Sequence, residues 1–150
     1  MIKELNDENL IIPLWQEAFG DSKEDISFFL NNCKNMKCLG YFDEKMLSSM
    51  LFLIDCKISG DEYKYIYAAC TYKNKRGRGD MSKLLDYCKS NFNKVCLIPA
   101  DDKLVDFYFE REFNIKFELN DIQFDESKEI KEYLFEGCSL EKPFVLAHNL

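Results

Sequence analysis

Residues 71–82 read TYKNKRGRGDMS and lie between an aromatic-rich apolar run and a helical pattern. Gly77 and Gly79 allow a tight backbone path in which successive N–H groups point into one space. The helix that begins there adds the positive end of its dipole. A strand, a glycine loop and a helix in this order predict a phosphate-binding loop. The alternative is a solvated basic turn whose glycines merely end the strand.

Charge is distributed unevenly around this loop. The chain of 150 residues has 20 Lys plus Arg against 27 Asp plus Glu, a formal charge of −7 that argues against a surface built to grip nucleic acid. Residues 1–100 are neutral, whereas residues 101–150 hold 6 basic and 13 acidic side chains. Residues 73–83 contain five cations and one anion, which suits a polyanionic ligand such as a pyrophosphate. The acidic C-terminal third favours a cationic acceptor if it borders the site.

Two amphipathic helices and three apolar runs precede the loop. Asp7 and Ser22 are the expected helix caps, and Gly20 ends the first helix. Short polar turns separate the apolar runs, which is typical of an antiparallel meander. The runs cover residues 38–42, 46–58 and 63–71.

Helices and strands alternate after the loop. The expected elements are a helix from Met81, a strand at 94–98, a helix capped by Asp101 or Asp102, a strand at 115–119, a helix at 126–135 and a strand at 144–147. The whole order predicts an α/β (α+β) fold with a central mixed, mostly antiparallel sheet flanked by helices. Without a repeat or a linker, residues 1–150 are expected to form a single domain.

Composition narrows the class of protein. With 47% apolar and 15% aromatic residues the chain has ample material for a core, so intrinsic disorder is not expected. No window approaches the roughly 18 consecutive apolar residues of a membrane span. Seven cysteines without a Cys-x-x-Cys pair, together with the single His148, favour reduced thiols in a cytoplasmic protein without a metal site. His148 is expected at the surface or on an edge strand.

The frame of residues 76–81 resembles the GNAT superfamily of acyl-CoA-dependent N-acyltransferases. That family carries Arg/Gln-x-x-Gly-x-Gly/Ala between a strand and a helix. Phe107 and Tyr108, followed by Phe113, are similar to its Phe-Tyr-x-x-x-Gly-Phe pattern. The N-terminal helices, through residues 14–21, resemble the enhanced-intracellular-survival type branch, with a shorter C-terminal portion.

The resemblance implies transfer of an acetyl group from acetyl-CoA to a primary amine by direct attack. The loop amides would hold the pyrophosphate, the edge of the preceding strand would pair with pantetheine, and Tyr108 would protonate the departing thiolate. Without the resemblance, Tyr108 is a core aromatic. The implied cofactor-binding residues are Cys70, Thr71, Tyr72, Arg76, Gly77, Arg78, Gly79, Asp80, Met81 and Ser82.

Three positions depart from the family pattern. Met81 stands where Gly or Ala is usual, and Glu112 replaces the Gly that ends the second helix. Asp80 replaces an apolar residue, so its carboxylate is expected near the pyrophosphate unless it turns to the helix start. The alternative to an active acetyltransferase is a catalytically weakened CoA- or nucleotide-binding sensor module, in which these three residues would mark lost turnover.

The acceptor and the general base are not specified by the sequence. The acceptor is expected to be a small-molecule or peptide amine, with no nucleic-acid or membrane partner, and a homodimer is compatible with the pattern. Carboxylates near strand ends are more typical of turns and caps than of a base, and a water chain could remove the proton equally well. They are Asp55, Glu62, Asp101 and Asp102. Cys70 is expected to be inert packing.

Overall fold

The computed structural model describes residues 1–149 and places five α-helices around a mixed sheet of eight strands. The helices are α1 (Glu8–Phe19), α2 (Lys23–Asn32), α3 (Asp80–Asn91), α4 (Asp102–Glu110) and α5 (Lys128–Phe135). The strands are β1 (Ile2–Glu4), β2 (Met36–Asp43), β3 (Met46–Ile58), β4 (Asp61–Thr71), β5 (Lys94–Leu97), β6 (Ile115–Glu118), β7 (Ile122–Phe124) and β8 (Phe144–Asn149).

The strand order is β1-β2-β3-β4-β5-β8-β6, and β7 pairs with β3 beside this path. Of the strand pairs formed within residues 1–149, β4–β5 is parallel and the others are antiparallel. The predicted mixed, mostly antiparallel sheet is therefore confirmed.

Side-chain caps start the helices where the sequence predicted. Asp7 accepts a hydrogen bond from the N–H of Asn9 at 2.9 Å, and Ser22 accepts one from Asp25 at 3.1 Å. Asp101 rather than Asp102 caps α4. Each cap satisfies an N–H group that the helix leaves without an internal partner.

The meander is closed by two tight hairpin turns. Both central residues of each turn are left-handed: Glu44 and Lys45 between β2 and β3, and Ser59 and Gly60 between β3 and β4. Turns of this kind match the right-handed twist of the strands they connect.

Alternation along β3 divides the core into two layers. Phe52 and Ile54 pack with α1, α2 and α5, whereas Leu51 and Leu53 face the opposite side with α3 and α4. Because side chains alternate along a strand, one buried strand can serve both layers.

Two short strands and one placement differ from the sequence-based expectation. β1 and β7 have three residues each, too few for a periodic signal. β8 lies between β5 and β6, so of the two placements expected for His148 the edge strand is wrong, whereas its side chain is partly exposed at the surface. Its Nδ1 lies 3.1 Å from the carbonyl oxygen of Glu112.

Within residues 1–149, every helix is too short or too polar to cross a membrane.

Candidate active site

The parallel strands β4 and β5 separate soon after they meet. Lys64 pairs with Val95 and Tyr65 with Cys96, after which β4 continues to Thr71 with no strand partner on that side among residues 1–149. A bulge in the same part of β4 adds one residue against β3, and Ala68 adopts a left-handed φ of 53° there. Bulges bend a strand and re-aim its side chains, so the bulge contributes to the gap between the two strands.

A cleft of about 280 Å³ lies between the two strands at this point. Its floor includes the buried side chains of Ile66, Leu97 and Tyr108. Its rim includes the exposed Asp21 and Glu136. The floor is thus apolar, and the rim carries negative charge.

The predicted phosphate loop lies at the end of the open strand. After a short 3-10 turn at Lys73–Lys75, Gly77 and Gly79 take left-handed φ values of 83° and 80°, and α3 begins at Asp80. The backbone N–H groups of residues 77–82 have no hydrogen-bond acceptor within residues 1–149. A run of free amides at a helix N-terminus is a typical anion-binding arrangement.

Two arginines flank these amides and are both exposed. Arg78 forms an ion pair of 2.6 Å with Asp43 at the β2–β3 turn, so part of its charge is already matched. The Nε of Arg76 lies 3.4 Å from the carbonyl oxygen of Thr71, and the rest of its guanidinium has no partner in the described part of the chain.

Asp80 does not face the free amides. Its side chain is 6% exposed and accepts a hydrogen bond of 2.8 Å from the hydroxyl of Ser48 on β3. The sequence left open whether this carboxylate faces the pyrophosphate or turns to the helix start; in the structure it is turned into the protein, towards Ser48.

Met81 and Ser82 form the rest of the first turn of α3. Met81 is half-buried against the α3–α4 layer. The hydroxyl of Ser82 accepts a hydrogen bond of 3.1 Å from the Nε of Arg111, whose guanidinium stacks 3.6 Å above the Phe107 ring. These contacts tie the helix of Tyr108 to the start of α3.

Of the three residues at the end of β4 that were expected to bind the cofactor, Tyr72 has no free backbone group. The N–H of Tyr72 donates to the Ser48 carbonyl at 2.9 Å, and its own carbonyl accepts from Lys75 at 2.9 Å, so both groups are engaged. The hydroxyl of Thr71 lies 2.7 Å from that of Ser49. Burial raises the pKa of the Cys70 thiol to about 12, which keeps it protonated and inert at neutral pH.

Tyr108 is the candidate proton donor in the floor of the cleft. It is 8% exposed, and its ring packs against Phe107 and Phe113 at centroid distances of 5.2 and 6.0 Å. Its hydroxyl has no hydrogen-bond partner within residues 1–149, yet the oxygen keeps contact with solvent. Burial raises the pKa of Tyr108 to about 12, so the phenol holds its proton throughout the neutral range.

None of the four carboxylates considered as bases lines the cleft. Asp101 is close enough to Tyr108 that its charge adds to burial in raising the pKa of that phenol. Asp101 caps α4 through the N–H of Leu104 at 2.8 Å, and Asp55 forms an ion pair with Lys64. Asp55 and Glu62 line a separate, open groove of about 1050 Å³ at the opposite end of β4. Asp102 is exposed in the first turn of α4.

Sequence reasoning missed the residues of the rim. Asp21 lies between α1 and α2, and Glu136 and Cys138 follow α5. The sulfur of Cys138 donates to the Pro99 carbonyl at 3.2 Å, which helps to fix this segment beside the end of β5. No local pattern marks these residues, because folding alone brings both connections to the cleft.

Comparisons with solved structures agree on the architecture. An acetyltransferase assigned to the GNAT family from Bacteroides thetaiotaomicron superposes with a TM-score of 0.64 at 14% identity, covering 100% of this chain and 87% of that one. The fold is that of GNAT acetyltransferases. An aminoglycoside acetyltransferase from an uncultured soil metagenomic sample gives a TM-score of 0.53 at 23% identity, covering 73% of this chain and 85% of that one.

A third structure is larger than this chain. It is a conserved Enterococcus faecalis protein of unknown function, provisionally assigned as an N-acyltransferase, with a TM-score of 0.59 at 17% identity. The match covers 75% of this chain and 31% of that protein. Neither the protein-family models nor the curated proteins gave a match to the sequence. At these identities the likeness establishes the fold, and the chemistry has to be argued from the site.

Proposed function

We propose that this protein is an acyl-CoA-dependent N-acyltransferase that moves an acetyl group from acetyl-CoA to a primary amine. The observation that carries the proposal is the unpartnered, protonated hydroxyl of Tyr108 in the cleft where β4 leaves β5. The hydroxyl is free of protein partners and reaches the cleft, so it can donate a hydrogen bond to a ligand there.

The free amides of residues 77–82 would hold the pyrophosphate of acetyl-CoA, with Arg76 and Arg78 adding positive charge. Hydrogen bonds to charged groups contribute about 1.5–3 kcal/mol each. Since the carboxylate of Asp80 is turned towards Ser48, its oxygens do not compete with the phosphates for the free N–H groups. Met81 and Ser82 would keep the first turn of α3 in place.

The open edge of β4 would align the pantetheine arm along Cys70 and Thr71 towards the cleft. Tyr72 would contribute through its side chain, because its backbone groups are already bonded. Alignment of this kind places the thioester carbonyl within reach of an amine, and positioning can lower a barrier by several kcal/mol, of the order of 7–11 kcal/mol at most.

The amine would attack the thioester carbonyl directly. A C–N bond forms, the C–S bond breaks, and Tyr108 gives its proton to the departing sulfur. The attacking nitrogen loses its surplus proton to water, and water returns a proton to the phenolate of Tyr108. The thiol of Cys70 takes no part in the transfer, because it stays protonated.

Acetyl-CoA binding and turnover test the proposal separately. A ligand at 100 times its dissociation constant stabilises a protein by about 2.7 kcal/mol, so acetyl-CoA should raise Tm by roughly 5–10 °C. Acetyl-pantetheine, which lacks the pyrophosphate, is the matched control and should give a much smaller rise. Release of free thiol on addition of an amine panel then measures transfer.

Each outcome has a distinct meaning. No shift of Tm with millimolar acetyl-CoA, in protein shown to be folded, overturns the proposal. A shift without thiol release for any amine favours the CoA-sensing alternative. Membership of the enhanced-intracellular-survival type branch, a single domain, a homodimer and a cytoplasmic location stay predictions.

A further inference from the structure

The cleft has a marked imbalance of charge. Asp21 and Glu136 lie on its rim, and no Lys or Arg of residues 1–149 lines it. Neither carboxylate forms an ion pair within the described chain. Two unmatched negative charges therefore border the space in which the acceptor would lie.

Asp21 is held in a defined position. The indole Nε1 of Trp15, a side chain that is 1% exposed, donates a hydrogen bond of 2.8 Å to its Oδ2. Burial raises the pKa of Tyr67, and the charges of Asp21 and Glu136 raise it further. Both carboxylates thus act on one hydroxyl in the wall of the cleft.

Aromatic rings complete this part of the cleft. Trp15 lies 6.3 Å from Phe19 and 5.8 Å from Tyr67, measured between ring centroids. Aromatic faces attract organic cations, and the attraction grows where water is excluded. Carboxylates and aromatic walls together suit an alkylammonium group better than a neutral or anionic one.

A second polar group lies in the same cleft, away from the rim. The hydroxyl of Tyr108 is in the floor, is 8% exposed as a residue, and has no hydrogen-bond partner within residues 1–149. The floor near it is formed by apolar side chains, among them Ile66 and Leu97. The rim and the floor therefore offer two chemically different environments to one ligand.

These environments require different charge states of nitrogen. Carboxylates stabilise an ammonium ion, which has no lone pair and cannot attack a carbonyl. Apolar surroundings favour the neutral amine, which can attack. An acceptor with a single nitrogen would be held by the rim in its unreactive form.

We propose that the acceptor is a diamine-class dication, with one ammonium bound between Asp21 and Glu136 and a second amine placed neutral in the floor beside Tyr108. This inference rests on the proposed acetyl transfer. Asp21 and Glu136 act as specificity-determining residues and leave the chemistry to the acetyl-CoA side of the cleft.

Three amines of equal chain length test it: pentylamine, aminopentanol and cadaverine, each assayed with acetyl-CoA by thiol release. Cadaverine should have a kcat/KM about tenfold or more above the other two, chiefly through KM. In the double variant Asp21→Asn with Glu136→Gln that preference should vanish, because kcat/KM for cadaverine falls towards that of the other two amines. Glu132→Gln, on the exposed surface of α5, is the matched control and should keep the preference.

The failures are distinguishable. Equal kcat/KM for the three amines, or a preference that survives in the double variant, overturns the dication while leaving acetyl transfer intact. If no amine is acetylated, the proposed function fails. Calorimetry of cadaverine with the protein and acetyl-CoA then still tests whether Asp21 and Glu136 bind an ammonium group. Binding that is lost in the double variant supports the rim site, and binding of equal strength in both proteins overturns it.

Discussion

The hydroxyl of Ser48 donates a hydrogen bond of 2.8 Å to Oδ2 of Asp80, and both side chains are buried. The bond joins β3 to the first turn of α3, directly after the glycine loop. It explains how an acidic residue can stand at this position with its carboxylate turned away from the free amides. Burial of the carboxylate makes its hydrogen bond important for stability.

Ser48→Ala is expected to lower the free energy of unfolding by about 1.5–3 kcal/mol, because it leaves a buried carboxylate without this donor. Urea denaturation measures the loss. The variant Ser48→Ala with Asp80→Ala should lose less than the sum of the two single variants, since both partners are then removed together. Additive losses would show that the two side chains are not coupled.

The conformations of Gly77 and Gly79 give a second prediction. A Cβ added at either position meets no atom within 4 Å, so Ala is disfavoured there by the positive φ alone. That strain is about 1–2 kcal/mol per residue. Gly77→Ala and Gly79→Ala should therefore distort the loop and weaken acetyl-CoA binding by about tenfold, or 1.4 kcal/mol, in calorimetry.

Gly60→Ala is the matched control for the loop variants. Gly60 has a φ of 86°, an added Cβ there also meets open space, and the residue lies in the β3–β4 turn. It should lose similar stability and retain acetyl-CoA affinity. An equal loss of acetyl-CoA affinity in all three variants would show that the loop amides do not bind acetyl-CoA.

The sequence predicted most elements because their signals are local. Asp7 and Ser22 precede amphipathic patterns as helix caps, and the runs that became β2, β3 and β4 end at polar turns. β7 has no such signal: Ile122 and Phe124 are buried while Gln123 points out, and three residues cannot distinguish a strand from a loop. Its pairing with β3 depends on contacts distant in sequence.

In the candidate site, too, some residues lie in local sequence motifs and others are brought together only by long-range packing. Arg76, Gly77 and Tyr108 lie in short motifs, so a resemblance could locate them. Asp21 and Glu136 come from separate connections, and only the packing of α1 and α5 against the same face of the sheet brings them to one cleft. The inward turn of Asp80 likewise depends on Ser48, which belongs to another strand.

Tyr108→Phe gives a third prediction, on catalysis. If the hydroxyl protonates the leaving sulfur, kcat should fall by about 10²–10⁴-fold, with acetyl-CoA affinity retained because the ring still packs against Phe113. Tyr87→Phe, an exposed tyrosine on α3, is the control and should keep full activity. Equal kcat in the protein and in Tyr108→Phe would remove Tyr108 from the mechanism.

The raised pKa of Tyr108 predicts the alkaline side of the pH profile. An ordinary tyrosine loses its proton near pH 10, whereas burial keeps Tyr108 protonated to about 12. The value of kcat/KM should rise with pH as the amine loses its proton, and no loss should appear up to about pH 10. Circular dichroism at each pH checks that the protein stays folded. A decrease centred below about pH 10 in folded protein would contradict the assignment.

The end of α4 gives the last prediction. Glu112 has a φ of 72°, and the N–H groups of Glu112 and Phe113 donate to the carbonyls of Phe109 and Tyr108 at 3.2 and 3.1 Å. This is a Schellman motif with glutamate at the position where glycine is favoured. Glu112→Gly should relieve the strain and raise the free energy of unfolding by about 1 kcal/mol, or roughly 2–4 °C in Tm.

Loss of the ion pair between Glu112 and Lys89, 3.1 Å long, works against that gain. Glu112→Ala separates the two effects, because it removes the carboxylate and keeps the Cβ that disfavours a positive φ. Thermal unfolding should therefore rank Glu112→Gly above the unchanged protein and Glu112→Ala below it. If both variants unfold at the same temperature, the left-handed residue is not strained, and the helix end that carries Tyr108 is held by its ion pair instead.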